Sequence, residues 1–170
     1  MDLDTLREEM ERAVRGWDAD YVEVHVDETE TTRLVYRGRE LEEIGRSRSF
    51  GGNVRALYRG GWGFASFNDP TDLRRRAEQA VAQARLVGKE RSQLAEVAPV
   101  VEIVPLQVGK DPRQVPLAAK KELLDQYNEL IWSVAGIASS NIFYSDSHKR
   151  VLFASSEGSF LQQERIDVTA

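Results

Sequence analysis

The side chains that could carry out metal chemistry in this sequence begin with two histidines. His25 lies in a predicted strand, on the face opposite three valines, and His148 lies in the polar segment SDSHKR. A zinc site needs about three or four protein ligands, yet neither an HExxH-type pair nor a cysteine accompanies these histidines. The spacing therefore gives no support to a metal site, and we expect no metal ion and no cofactor in this chain.

The sequence does not support acid–base or nucleophilic catalysis either. Neighbouring carboxylates such as Glu8 and Glu9, or Glu42 and Glu43, point in different directions on a helix or strand. They are therefore poor partners for sharing a proton. None of the serines lies in a GxSxG nucleophile elbow, and no set of Ser, His and acid emerges from the spacing. We expect no catalytic residue in this chain.

The glycine-rich stretch FGGNVRALYRGGWGFASF, residues 50–67, is the remaining candidate for binding a ligand. It is not a phosphate loop, because no Gly-Lys-Ser/Thr follows, and not a dinucleotide fingerprint, because no helix starts there. Alternating apolar runs flank Gly60-Gly61, which predicts a β-hairpin with a Gly-Gly turn, since such turns need positive φ. The predicted turn and packing residues are Gly51, Gly60, Gly61, Gly63, Trp62 and Phe64, with the two aromatics as core anchors.

Arginines interleave with aromatic residues in this hairpin, a composition that a nucleic-acid-binding sheet can share. Residues 33–59 contain seven arginines, whereas residues 1–31 are strongly acidic. The net charge of the chain is −5, which disfavours general affinity for nucleic acid. The uneven charge either pairs within the fold or marks a polar contact face. Nucleic acid therefore ranks last among the expected partners.

Length and composition are typical of a soluble globular protein. The 170 residues are enough for one compact domain with a sizeable core. The hydrophobic fraction is 41%, the charged fraction is 30%, and there is no cysteine, which fits a reducing compartment. The acidic, amphipathic N-terminus has no apolar signal core, and no run is long enough to cross a bilayer. We expect a cytoplasmic protein without a membrane partner.

Hydrophobic periodicity predicts three helices and a series of strands. The predicted fold class is α+β: a largely antiparallel sheet in two helix-plus-meander halves, with about three helices packed on one face. The helices are expected at residues 3–16, from Asp69-Pro70 to Gly88 and from Pro116 to Gly136. Besides the hairpin, strands are expected at residues 21–28, 32–37, 41–50, 138–146, 150–155 and 159–169.

Prolines punctuate residues 88–116, which we predict to be a connector holding one short strand near residues 100–104. A helix followed by a meander occurs on both sides of this connector. An internal repeat is one explanation, and chance similarity is the other. If the repeat is real, a second copy of the hairpin is due just past Ala170, and the chain is cut from something longer.

The stretch GGNVRALYRGGWGFASFNDPTDLRRRAEQAVAQAR resembles the N-terminal domain of the TldD/PmbA proteins, once called modulators of DNA gyrase. Their pattern there is a Gly-x-Gly-Val-Arg strand, a turn, Gly-Phe-Ala-Ser and an Ala-rich helix. Asn53 departs from it, standing where the family usually has a second glycine. The strand ADYVEV at residues 19–24 and the turn at residues 156–158 are similar as well. The matching residues of the long stretch are Gly51, Val54, Arg55, Gly63, Phe64, Ala65 and Ser66.

The resemblance implies more than these residues show. Members of the family are cytoplasmic zinc metallopeptidases, or inactive partners of them, which act on flexible peptides and form homo- or heterodimers. Their zinc motif, HExxxH, belongs to a separate C-terminal domain, and this sequence contains no HExxxH. No metal or catalytic residue can therefore be carried over. We expect residues 1–170 to form a single N-terminal domain that lacks the catalytic domain and is inactive alone.

In that interpretation the chain supports substrate admission and dimer assembly in a metallopeptidase. Two alternatives stay open: a free-standing module that binds peptides or proteins, and a domain that binds nucleic acid or gyrase.

Overall fold

The computed structural model describes residues 2–90 and 94–170. Within them, three helices accompany a six-stranded, mostly antiparallel open sheet with the order β3-β2-β1-β5-β6-β4. The predicted α+β class is confirmed. The helices are α1 (Leu3–Val14), α2 (Leu73–Val87) and α3 (Leu117–Ser133), with a 3₁₀ turn at Pro112–Gln114. The strands are β1 (Tyr21–Arg37), β2 (Glu40–Tyr58), β3 (Gly61–Phe67), β4 (Val101–Val104), β5 (Asn141–Ser155) and β6 (Phe160–Thr169).

The strands are longer than the sequence predicted. The expected strands at residues 21–28 and 32–37 are one strand, β1, and those at 138–146 and 150–155 are both parts of β5. The expected strand at 41–50 runs without a break into the first arm of the hairpin as β2. Polar intervals in the sequence were expected to be turns. The backbone N–H and C=O groups of a strand, however, form hydrogen bonds with neighbouring strands whatever its side chains are. His148 accordingly lies inside β5 rather than in a polar turn.

The start of helix α2 follows from its cap. Helix α2 starts at Leu73, later than the predicted Asp69-Pro70, because Asp72 is the N-cap and its carboxylate accepts a hydrogen bond from the Arg75 N–H. Asp69 instead accepts from the Thr71 N–H in the turn before the helix.

The hairpin turn lies one residue earlier than predicted. Its central residues are Arg59 and Gly60, with φ values of 45° and 78°, and Gly61 already pairs with Tyr58 as the first residue of β3. The Arg59 N–H donates a 2.6 Å hydrogen bond to the carboxylate of Asp20. This bond helps to hold a non-glycine residue in a conformation that side chains rarely adopt.

The chain divides into two compact units. Unit 1 comprises Met1–Glu28, Phe50–Pro105 and Arg150–Gln163, and unit 2 comprises Thr29–Ser49, Leu106–Lys149 and Glu164–Ala170.

The core of unit 1 lies between its sheet segment and the helices α1 and α2. The predicted apolar face of β1 is confirmed, since Val22, Val24 and Val26 are all buried. They pack in one cluster with apolar residues of both helices, including Met10 and Ala80. The two amphipathic helices thus cover one face of this part of the sheet.

The core of unit 2 is smaller. Leu34 and Tyr36 of β1 pack against Leu124 of α3, and the Tyr36 hydroxyl donates a hydrogen bond to the carboxylate of Asp125. Fewer apolar residues are buried in this cluster than in the cluster of unit 1.

The segment predicted as a connector contains one short strand, as expected. Strand β4 runs parallel to β6, with Val101 opposite Phe160, and all four of its residues are exposed. No helix among the described residues combines the length and the apolar character that crossing a membrane requires.

Candidate functional site

The residues that the sequence singled out in the hairpin lie in unit 1, but they do not all point into the core. Trp62 and Phe64 are 46% and 52% exposed, so the prediction that they anchor the core is wrong. The buried positions of β3 are instead Gly61, Gly63, Ala65 and Phe67.

Helix α2 decides which face of β3 is buried. A Cβ built on Gly63 would stand 1.8 Å from the carbonyl oxygen of Ala80, and one built on Gly61 would stand 2.4 Å from the backbone nitrogen of Gly88. Only residues without a side chain allow the helix backbone to come this close to the strand. The aromatic side chains that alternate with these glycines must therefore face away from α2, because side chains alternate along a strand.

The face of the sheet opposite the helices carries a polar network centred on Glu23, whose side chain is only 6% exposed. Its carboxylate accepts a 2.8 Å hydrogen bond from the Tyr21 hydroxyl, pairs with the guanidinium of Arg55, and lies 3.3 Å from the Nε2 atom of His25. Each of these groups lies on strand β1 or β2. The strands thus bring together side chains that the sequence separates by up to 32 positions.

The protonation of this network follows from its contacts. Burial is the largest influence on Glu23 and raises its pKa, but the hydrogen bonds from His25, Tyr21 and Arg55 together hold the pKa below its ordinary value. Burial, and then the bond to Glu23, raise the pKa of the Tyr21 hydroxyl. Glu23 is therefore a carboxylate and Tyr21 a neutral donor near neutral pH. An ionised acid with this many donors positions its neighbours and is a poor proton-transfer group.

The network fixes the ring of Trp62. The guanidinium of Arg55 stands 5.4 Å from the centroid of the Trp62 ring, and Tyr21 meets the same ring edge-on at 6.3 Å. Cation–π and edge-to-face contacts of this kind hold an aromatic side chain in one orientation. Trp62 is thus half exposed and still ordered by its neighbours, which suits a surface that binds another chain without losing much side-chain entropy.

Strand β3 also forms one edge of the sheet, since β2 is its only neighbour in the strand order of the described residues. The Phe64 N–H points away from β2 and donates a 3.2 Å hydrogen bond to Oε1 of Gln83, an exposed residue of α2. A side-chain amide therefore stands where the carbonyl of a further strand would otherwise accept.

Unit 2 contains a second polar cluster, which the sequence did not reveal. The ammonium of Lys120 pairs with the carboxylate of Asp146, and both side chains are 4% exposed. The Tyr144 hydroxyl donates a 2.8 Å bond to the same carboxylate, and Lys120 and Tyr144 border a cavity of about 300 Å³ with mostly apolar walls. The signal available in the sequence was Lys120 itself, a charged residue within the apolar stripe of a predicted helix.

The two histidines lie in different units. His148 is buried in unit 2, with its Nε2 atom 2.9 Å from the carboxylate of Glu164, whereas the ring of His25 packs on Phe153 in unit 1. Across residues 2–90 and 94–170, no group of three or more His, Asp or Glu side chains is arranged to hold a metal ion. The described structure therefore contains no set of side chains that fits the zinc ion implied by the resemblance.

Helix α3 has an exposed apolar stripe in addition to its buried face. The buried positions of this helix are Lys120, Leu124 and Asn128. The exposed stripe follows the helical spacing of one face and consists of Leu123, Tyr127 and Leu130, with Val134 next to it at the C-cap.

The elements form an α+β fold whose strand β3 turns the half-exposed side chains of Trp62 and Phe64 outward. Residues 22–84 match the description "PmbA/TldA metallopeptidase domain 1", and residues 110–170 match "PmbA/TldA metallopeptidase central domain". The chain belongs to the PmbA/TldD family. The two matches name two domains of the family, and a single domain over residues 1–170 stays a prediction.

Sequence relatives carry metalloprotease names. A metalloprotease from Synechocystis sp. is 43% identical over 148 residues, which cover 85% of this chain and 32% of that protein. A metalloprotease from Methanothermobacter thermautotrophicus is 28% identical over 145 residues, covering 84% of this chain and 31% of that protein. The chain thus spans about a third of the length of these relatives.

Solved structures share the fold. TldE from Thermococcus kodakarensis superimposes with a TM-score of 0.70 at 15% identity, over 97% of this chain and 37% of that chain. A putative modulator of DNA gyrase from Bacteroides thetaiotaomicron gives a TM-score of 0.72 at 15% identity, over 96% of this chain and 38% of that chain. At this identity the likeness extends to the fold alone.

Proposed function

We propose that this chain is a non-catalytic part of a TldD/PmbA-like zinc metallopeptidase, where it contacts flexible peptides and supports assembly with a TldD/PmbA-type subunit. The observation that carries the proposal is the outward-facing pair of Trp62 and Phe64, both about half exposed, of which Trp62 is held by Arg55 and its partner Glu23. In this proposal the zinc ion and the catalytic residues belong to another part of the parent protein, in the cytoplasm.

The aromatic pair suits a flexible substrate for a physical reason. Aromatic rings bury a large area at a small cost in side-chain entropy, and they accept many different side chains. A processing enzyme for unfolded segments needs this tolerance, because its substrates share extended backbone rather than one sequence.

The exposed stripe of α3 is the surface that we propose for assembly. Three large apolar side chains in one row, Leu123, Tyr127 and Leu130, with Val134 at the C-cap, give a helix face typical of helix–helix docking.

The peptide contact is tested by mixing the 170-residue chain with a labelled, unstructured peptide. We expect binding in the micromolar range, weakened about tenfold or more by Trp62→Ala combined with Phe64→Ala. The matched control is Val97→Ala, which removes a similarly exposed apolar side chain from the connector. Mass spectrometry should find the peptide intact, so cleavage that a chelator stops would contradict the non-catalytic role.

The assembly surface is tested by light scattering on a longer protein, which contains this chain together with the rest of a full-length family member. Leu130→Asp should lower the fraction of assembled subunits, because it places a charge in the apolar stripe. Ala118→Asp, at an exposed position of the same helix, adds the same charge outside the stripe and should leave assembly unchanged. Equal assembly in both variants would remove α3 from the proposal.

A further inference from the structure

The apolar cavity of unit 2 is not used by the proposed function, apart from Leu123, which the cavity shares with the exposed stripe of α3. It holds about 300 Å³ and is lined by residues of unit 2 only, from the segment 110–115, α3, β5 and β6. Protein interiors are close-packed, and voids much larger than a water molecule are rare in them. At about 30 Å³ for each water-sized volume, the cavity fits a molecule of roughly ten non-hydrogen atoms.

The charges around this cavity are unbalanced. Lys110 and Lys120 are the charged residues among the described ones that line it, and both are cations. Asp146 neutralises Lys120, whereas none of the ion pairs of the described residues involves Lys110. Asp111, the neighbour of Lys110 in the chain, is held by Arg113 at 2.7 Å. One positive charge at the cavity is therefore left without a counter-charge.

Exposure distinguishes the two ends of the cavity. Lys110 and Ala119 are exposed, so the cavity opens to solvent beside them, whereas Lys120 and Leu124 are both 4% exposed. A concave site with apolar walls and one positioned charge is typical of small-molecule binding. The other residues that line the cavity are Pro112, Val115, Leu123, Tyr144 and Val168.

We propose that the cavity of unit 2 binds a small organic anion, which combines one carboxylate with an apolar tail of about seven carbons. The carboxylate pairs with Lys110 at the open end, and the tail displaces water from the apolar walls. Lys120 binds no second carboxylate, because Asp146 already balances its charge. Removal of the tail from water drives binding, while the charged head stays in contact with solvent and avoids the cost of burial.

The first test removes the charge at the open end. The probe is octanoate, and isothermal titration calorimetry measures its binding to the 170-residue chain. We expect a dissociation constant on the order of 0.1 mM. Lys110→Ala should weaken binding about fivefold, the value of a good exposed ion pair. Lys89→Ala removes another exposed lysine, which does not line the cavity, and should leave binding unchanged. Equal binding by these two variants would overturn the carboxylate contact.

The second test fills the cavity. Ala119→Phe puts an aromatic ring at the open end and should weaken octanoate binding at least tenfold, because the ring competes with the tail for the apolar walls. Ala118→Phe, at the adjacent exposed position of α3, adds the same ring outside the cavity and is the control. Both positions are exposed, so both variants should fold, which circular dichroism checks. Unchanged binding in Ala119→Phe would overturn the cavity as the site.

The third test changes the probe. Octanol keeps the tail without the charge and should bind about fivefold more weakly than octanoate. Butanoate keeps the charge with a shorter tail and should bind at least tenfold more weakly, because each buried methylene contributes about 0.8 kcal/mol. Octanol binding as tightly as octanoate would overturn the anionic head, and equally tight butanoate would overturn the apolar tail. Absence of octanoate binding to the original chain would overturn the whole proposal, and the peptide contact at Trp62 and Phe64 would still stand.

Discussion

Gly63 lies so close to Ala80 that the carbonyl oxygen of Ala80 occupies the place of a Gly63 side chain, 1.8 Å from where a Cβ would stand. The contact joins β3 to α2 and fixes which face of the hairpin looks outward. The exposure of Trp62 and Phe64, and the proposal built on it, depend on this approach.

Gly63→Ala should therefore destabilise unit 1 by about 2–4 kcal/mol, because either the strand or the helix must shift. Urea denaturation followed by circular dichroism measures the loss. Gly45→Ala is the matched control, since a Cβ at that strand position meets nothing within 4 Å, and it should change stability by no more than about 1 kcal/mol. Equal effects of the two substitutions would contradict the close contact.

The buried pair of Lys120 and Asp146 gives a second prediction. Asp146→Asn leaves the Lys120 ammonium buried without a counter-charge, which should cost about 3–5 kcal/mol of stability. Replacing both residues with Met and Leu should cost clearly less. The control is Asp167→Asn, which breaks an exposed pair with Arg165 and should cost no more than about 1 kcal/mol. Chemical denaturation of the four proteins distinguishes these outcomes, and a double variant as unstable as Asp146→Asn would refute the explanation.

The hydrogen bonds of Glu23 predict that the stability of the fold depends on pH in the acidic range. Because folding lowers the pKa of Glu23 below its ordinary 4.5, the ionised form stabilises the fold fully above that pH, and the contribution is lost as pH falls through the lower, folded value. Glu23→Gln should therefore be less stable than the original chain at pH 7, and the gap should narrow as pH falls below about 4.5. Denaturation at several pH values measures this. Glu78→Gln, an exposed acid on α2, serves as control, and a gap that widens in acid would contradict the prediction.

The cap of α2 gives a fourth prediction. Asp72 has a φ of 64° and accepts from the Arg75 N–H, so it supplies both a rare backbone conformation and a cap. Asp72→Ala loses both and should cost about 1–2 kcal/mol. Asp72→Gly loses only the carboxylate and should cost less, because glycine adopts positive φ freely. Thermal unfolding compares the stability of the two variants. A glycine variant less stable than the alanine variant would show that the positive φ at position 72 does not determine the loss of stability.

The sequence predicted the hairpin, the three helices and the α+β class well, because these depend on local periodicity. The strand ends were predicted wrongly because they too were judged from local periodicity, in which a polar interval marks the end of a strand. Residues 29–31 are polar and fell between two expected strands, but long-range pairing keeps them extended within β1. The turn position also depended on a distant group, since the conformation of Arg59 is supported by a bond to Asp20.

By itself, the sequence determined which side chains share a face of β3 and which family the hairpin resembles, since both follow from residue order along the strand. Only the tertiary structure decided which of the two faces is buried. That choice depends on the distance between β3 and α2, where Gly63 meets Ala80. The Glu23–Arg55 and Lys120–Asp146 pairs likewise join residues 32 and 26 positions apart. Contacts between residues this far apart in the sequence form only when the chain folds, and no local sequence pattern encodes them.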